Sequence, residues 1–421
     1  MCNKTFSLLC LLTLSSAAVF AQKTDYRATY IVDGASIADE NRSHISLECL
    51  EPDASVVYAT NGVKLILTSI RLNKTSGSLD SDTRRETGRN SVLRVDAGSR
   101  VTIEKSEINS HTSMADGASA IGEGSVIKVY EGNINVSRSG SAAVNAAKGG
   151  KVTLERTMIS TYSSQDPALL ASVGGEIEAT GLSGECSGQA SPTFYSHGGT
   201  ITAQNCKLSS GRWTMGSVDG GKLTLIDNDL QSGGVSGFLL YGSKSRSENG
   251  ELVLTHNKLA VKDGPLFMVT NTSASITVAG NKISNRSNEL LRVCSDDWGI
   301  KGSNGGDAVL TIDKQSLSGT ITVDSISSLV LNLHKGAKLN GSINSTENRC
   351  AQVKVVVSAG SSWNSKGDSY ITSIVFEQPL AKGLKQLKGK HVIYYDPANP
   401  DNKALEGKEY KTGGGVLRPL K

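Results

Sequence analysis

Asp296, Asp297 and Trp298 stand side by side in the run Ser295-Asp296-Asp297-Trp298-Gly299, which holds the only Asp-Asp pair of the chain. Carboxylates next to an indole suit a sugar ligand. The acids accept hydrogen bonds from hydroxyl groups, and the ring offers an apolar face for stacking. The same run also reads as an insertion loop that Trp298 ties down against the body of the protein. Trp213 and Trp363 read as packing residues. Tyr195 and Tyr241 fall in short apolar runs, where they either line one face or fill a core.

Few other residues suggest chemistry. Inverting glycoside hydrolysis calls for two carboxyl groups about 6.5–9.5 Å apart. A calcium-assisted polysaccharide lyase calls for an acidic cluster and a basic residue. Polygalacturonase-like enzymes carry Asn-Thr-Asp, Gly-His-Gly and Arg-Ile-Lys elements, and none occurs here; His197 sits instead in Ser-His-Gly-Gly. No acids recur at equivalent positions of a repeat. No catalytic residue, metal site or cofactor is therefore expected. Threonines are scattered, without the repeated Thr-x-Thr face that ice binding needs. The formal charge is only +4 over 421 residues, and no basic run interleaves with aromatics, which argues against a nucleic-acid partner.

A repeat must position these residues. Gly220-Gly221 opens Lys222-Leu223-Thr224-Leu225-Ile226-Asp227-Asn228-Asp229-Leu230, with aliphatics at i, i+2 and i+7. The frame recurs at Leu65/Leu67/Leu72, Val101/Ile103/Ile108, Ile127/Val129/Ile134, Val152/Leu154/Ile159, Ile201/Ala203/Leu208, Leu252/Leu254/Leu259, Ile276/Val278/Ile283 and Leu310/Ile312/Leu317. The unit at Ile177 lacks the last aliphatic and has Leu182 instead. Successive starts from 101 to 276 lie 26, 25, 25, 24, 22, 29 and 24 residues apart, the signature of a stacked solenoid. A second short apolar run, such as Leu169-Leu170-Ala171 or Phe267-Met268-Val269, precedes each frame. Two or three short strands with glycine-containing corners in each unit predict an all-β chain wound as a single-stranded parallel β-helix. The 45 glycines and 5% aromatic content suit short strands with tight turns. A leucine-rich repeat would need a helix-compatible stretch, which is lacking.

About twelve or thirteen coils fit between 56 and 380, making a rod of roughly 60 Å at about 4.8 Å per coil. Asn228, Asn257 and Asn281 all fall at i+5, where stacked amides predict a hydrogen-bonded ladder along the axis. Residues 22–55 read as an N-terminal cap and 381–421 as a C-terminal capping segment, because a solenoid must close its open edges. Lys74–Asn90 and Ser243–Gly250 read as insertions projecting from one side.

Residues 1–21 read as an export signal, with Lys4, an apolar core from Phe6 to Leu14, and Val19-Phe20-Ala21 before the cleavage point. No later stretch is long and apolar enough to span a bilayer. Removal of the signal leaves Cys49, Cys186, Cys206, Cys294 and Cys350, an odd number at irregular spacing. Cys186 and Cys206, about one repeat apart, either bridge neighbouring coils or remain buried single thiols.

Several stretches of the second half carry a family resemblance. They include Gly264-Pro265-Leu266-Phe267-Met268-Val269-Thr270-Asn271-Thr272, Asp297-Trp298-Gly299 with Gly302-Ser303-Asn304-Gly305-Gly306, Leu317-Ser318-Gly319-Thr320-Ile321, and Tyr394-Tyr395-Asp396 through Gly413-Gly414-Gly415-Val416-Leu417-Arg418-Pro419. From about 190 to 421 the chain resembles exported bacterial right-handed parallel β-helix proteins of pectin-lyase-like fold, often described as adhesin-like. The resemblance implies a fold and no reaction. The expectation is a secreted or outer-membrane-associated, monomeric rod that binds a polysaccharide or a host-surface glycoprotein. A polysaccharide lyase or glycoside hydrolase on the same fold is the alternative, and a structural surface protein the third reading.

Overall fold

The computed structural model describes residues 26–77, 84–346 and 351–421. The expected signal segment and Cys350 lie outside them. The chain is all-β, with 52% strand and 4% helix, wound into a parallel β-solenoid of about 15 turns. Each regular turn supplies one strand to each of three parallel sheets, here A, B and C, of 12, 14 and 10 strands. One turn runs Phe194–His197 in A, Thr200–Gln204 in B and Lys207–Ser210 in C.

The i, i+2 and i+7 frame is the inward face of sheets B and C. Leu223 pairs with Ile201 on one side and Leu252 on the other, and Leu225 with Ala203 and Leu254. Leu230 lies between Leu208 and Leu259 in sheet C. All of these side chains are buried in one continuous core. Sheet A closes the core with the other apolar run, and Phe238 and Phe267 stack in neighbouring turns with ring centroids 6.0 Å apart. At the irregular unit, Gly184 occupies the i+7 position, where an added Cβ would lie 1.7 Å from the Ile159 carbonyl oxygen; Leu182 is buried instead.

The corner between sheets B and C is built the same way ten times. His44, Ser69, Lys105, Glu131, Arg156, Gly181, Asn205, Asp227, His256 and Gly280, all at i+4, adopt positive φ. Eight are not glycine, and each such residue costs roughly 1–2 kcal/mol of local strain. Stacking offsets it. The Lys105 N–H donates to Tyr130 O at 3.0 Å, Glu131 to Glu155 at 3.0 Å and Asp227 to Thr255 at 3.1 Å, each one turn further on.

The next residue, i+5, points inward and carries the amide ladder. Asn228 Nδ2 donates to Asn257 Oδ1 at 2.9 Å, and Asn257 Nδ2 to Asn281 Oδ1 at 3.0 Å. The same oxygens accept the main-chain N–H of Asn228 and Asn257, both at 2.9 Å. The ladder has a fourth rung that the asparagine pattern does not show. Gln315 Oε1 accepts from Asn281 N at 2.9 Å and Nδ2 at 3.2 Å. A second ladder runs at the corner leading into sheet A. Ala115 N donates to Ser141 Oγ, Ser141 N to Asp166 Oδ1 and Asp166 N to Ser191 Oγ, at 2.9–3.0 Å. Burial pushes the Asp166 carboxyl up to about 7, with the nearby Asp116 adding to the effect and backbone N–H donors opposing it.

Within the expected cap the described residues, from 26 on, hold the first turn of the ladder itself, since Arg27–Asp33, Asp39–Ser43 and Ser46–Cys49 pair in register with the next turn. The positions that carry Leu65 and Leu67 one turn on are Glu40 and Arg42 here. These bind each other at 2.6 Å and both engage the Tyr30 hydroxyl, so polar groups cover the end of the aliphatic core. At the other end Trp363 is fully buried with Nε1 donating to Gly341 O at 2.8 Å. The antiparallel pair Tyr410–Lys411 with Val416–Pro419 interrupts parallel stacking and blunts the last edge. The capping segments thus add turns to those between 56 and 380.

The insertions do not simply project. In the first, Arg84–Thr87 is helical and lies against the outer face of sheet A: Glu86 pairs with Lys148 at 3.1 Å, and the outward Ser119 and Asn145 are fully buried. In the second, Ser247–Gly250 lengthens a sheet B strand, and Arg246 reaches across to Gly305 O at 2.6 Å. Cys49, Cys186, Cys206 and Cys294 are free thiols, so the 186–206 bridge does not form. Cys186 faces the core from sheet C while Cys206 holds the i+5 corner, and burial pushes the Cys186 thiol up to about 11.

Two outcomes follow. Asn257→Ala removes the acceptor of the Asn228 main-chain and side-chain donors, at a cost of about 2–3 kcal/mol. Hydrogen exchange should quicken at the Asn228 amide and its neighbours while the terminal turns stay protected; unchanged exchange would show that the ladder stabilises nothing. For Asp166 the folded protein keeps a proton that the unfolded chain has already lost between about pH 4 and 7. Its contribution to stability is therefore present below about pH 4 and lost as pH rises through 7. Asp166→Asn should lessen the fall in denaturant midpoint across that range, and parallel profiles for both proteins would refute the assignment.

Candidate functional site

Strand alternation decides which tyrosines face out. Phe194, Ser196, Phe238 and Leu240 point into the core, so Tyr195, His197, Leu239 and Tyr241 point outward from sheet A. Register then brings distant residues together. Ser196 pairs with Val218 and Val218 with Leu240, so His197, Asp219 and Tyr241 follow at the ends of three successive strands. The Tyr241 and Tyr195 hydroxyls are 3.2 Å apart, spanning two turns. The His197 ring lies 5.8 Å from that of Tyr195.

Asp219 anchors the cluster. It is almost buried, at 7% exposure. His197 Nδ1 lies 2.9 Å from Asp219 Oδ2, and Ser243 donates to both carboxylate oxygens through its hydroxyl and its main-chain N–H. Burial works against the charge of Asp219, yet the bonds from His197 and Ser243 hold it below the usual carboxylate range. An ionised acceptor makes Nδ1–H of His197 the donor of that bond and turns Nε2 away from the carboxylate.

Trp298 completes the strip from a different part of the chain. Its ring meets Tyr241 edge-on, with centroids 4.9 Å apart and planes at 62°, and it remains half-buried. Asn304 Nδ2 donates to Trp298 O at 2.9 Å and to Asp296 O, while the Asn271 N–H donates to Asn304 O at 3.0 Å. Gly299 sits at φ +79°, where a Cβ would lie 2.4 Å from Asn271 Oδ1. Asp296 and Asp297 are exposed on the same loop, with the Asp297 N–H bonded to Asp296 Oδ1 at 2.8 Å. Ile300, at the tip, is 79% exposed.

The loop is therefore pinned to the rod, as one reading of the sequence has it, and it presents two carboxylates beside a partly open indole, as the other has it. The sequence leaves Tyr195 and Tyr241 open between a face and the core, and it does not single out His197, Asp219 or Ser243 as site residues. Their only signal is the strand frame, which marks 195 and 241 as outward once the inward set is chosen. Trp213 is half-buried at a corner, unlike Trp363. Among the described residues no three His, Cys, Asp or Glu side chains cluster to hold a metal ion, and no helix is long and apolar enough to cross a membrane. Comparison with known protein families and with curated proteins finds no match for this chain.

Gly299→Ala should release the loop. Trypsin should then cut after Lys301 about tenfold faster than in the parent protein, with secondary structure unchanged. An unaltered cleavage rate would mean that the Asn271 contact does not hold the loop.

Proposed function

We propose that this chain is an exported or surface-exposed right-handed β-helix protein that acts by binding, with a glycan as ligand and the Tyr195–Tyr241–Trp298 strip as the contact. The strip is the observation that carries the reading. Three aromatic side chains follow one face of the rod, flanked by acceptor groups on Asp296 and Asp297 and by His197. Aromatic faces match the apolar faces of pyranose rings, and the carboxylates match their hydroxyls. The strip is held rigid by hydrogen bonds beneath it, so little ordering entropy is lost on binding. A polysaccharide or the sugar chain of a host-surface glycoprotein fits this chemistry.

A lyase is the second reading, and His197 favours it. A neutral imidazole oriented by a buried carboxylate is the usual form of a general base. The middle position of Asp219, between His197 and Ser243, speaks against a serine nucleophile, because the histidine would have to stand between the other two.

Incubation with a panel of neutral and acidic polysaccharides, followed by size-exclusion chromatography, separates the readings. The expected result is chains of unchanged length that carry the protein with them, with binding weakened at least tenfold in Trp298→Ala and Tyr241→Ala. Shortened chains, with shortening abolished in His197→Ala, would overturn the binding reading in favour of the lyase. Intact chains that elute apart from the protein would remove the glycan from the proposal.

A further inference from the structure

Sheet B carries a second surface, on another face of the rod and nearer its N-terminal end. Outward positions of four consecutive turns hold Lys64, Arg100, Lys128 and Lys151, around a shallow depression of about 460 Å³ with Ile66 and Val126 in its lining. The Arg100 and Lys128 side chains are exposed and have no hydrogen-bond or ion-pair partner among the described residues. Lys64 has only a long contact to Asp39 at 3.7 Å, with both side chains 67% exposed. Lys151 is held by Glu176 at 3.2 Å and Glu178 at 2.7 Å, and these acids end the basic stretch on the next turn.

We propose that this face binds a linear anionic polysaccharide lying along the solenoid axis. The cations are spread along the axis at the spacing of the turns, about 4.8 Å, and do not converge on one point. That arrangement suits a ligand whose own charge repeats, and one turn is comparable in length to one hexose unit. Ile66 and Val126 offer apolar surface to the sugar rings, and the outward Thr102 and Thr153 offer hydroxyls. Carboxylated and sulfated chains share the required chemistry. The site is separate from the aromatic strip.

The test is isothermal titration of the full protein with polygalacturonate, heparin, single-stranded DNA and neutral dextran, at low and moderate salt. At least one of the two anionic polysaccharides should bind and dextran should not. Affinity should fall as salt rises, because bound counterions are released on association. The double variant Arg100→Glu/Lys128→Glu should weaken binding at least tenfold and flatten the salt dependence, and it should do so equally in a Trp298→Ala background, where any contribution of the aromatic strip has been removed. Both altered side chains are exposed, and an unchanged circular dichroism spectrum confirms folding. Preference between the two anionic chains identifies carboxylate or sulfate as the recognised group. Absence of binding to both, equal binding by the double variant, or tighter binding of single-stranded DNA than of either polysaccharide would overturn the proposal. Loss of polyanion binding in Trp298→Ala alone would assign it to the aromatic strip and overturn this site.

Discussion

The main-chain hydrogen bonds from each turn to the next are the constraint on which the rest of the molecule depends. A strand buried on its inner face must satisfy every N–H and C=O, and here the neighbouring turns supply the partners. Once those bonds set the register, side chains at equivalent positions stack on one another. Leucine falls on isoleucine in sheet B, amide on amide at the i+5 corner, and serine or aspartate on main-chain N–H at the corner into sheet A. The left-handed corner residues are tolerated for the same reason: the N–H of each non-glycine residue there finds a carbonyl in the next turn.

This construction separates stability from recognition. Inward positions make the core, and their identity is restricted to side chains that stack. Outward positions contribute little to the core and are free to vary, so binding chemistry can be placed on them without cost to the fold. The two surfaces described above use that freedom differently. The strip on sheet A combines aromatic rings with a buried, hydrogen-bonded carboxylate. The depression on sheet B combines a row of cations, Lys151 among them held by acids of the next turn, with aliphatic and hydroxyl side chains. Neither surface is continuous in sequence. Each exists because residues about one repeat apart are neighbours in space.

The ends show how polar side chains close such a body. Glu40 and Arg42 replace the inward leucines of sheet B in the first turn and bind each other and Tyr30. They keep the register of the ladder while presenting water with charged groups. The last turns use different devices, a buried tryptophan stacked on Leu387 and a short antiparallel pair.

The alternation of aliphatics at i, i+2 and i+7 was enough to read the class of fold, its period and most of its core. Those positions face inward whatever the turns do, because strand geometry fixes side chains two apart on one face. The same frame exposed Asn228, Asn257 and Asn281 as a ladder. It missed Gln315, which also falls at i+5 but is not an asparagine, so the residue-type pattern does not mark it, although its Oε1 accepts as the asparagine oxygens do. It also missed the left-handed corners, since serine, lysine, glutamate and arginine give no local sign of positive φ. The candidate site was legible only in part. Asp296, Asp297 and Trp298 are adjacent in sequence and could be seen as a group. Tyr195, His197, Asp219, Tyr241 and Ser243 span two repeats, and whether they touch depends on register between strands, which hydrogen bonding across turns decides. The cations of sheet B are similarly dispersed. Local pattern determined which residues are buried; only the stacking of turns decided which exposed residues meet.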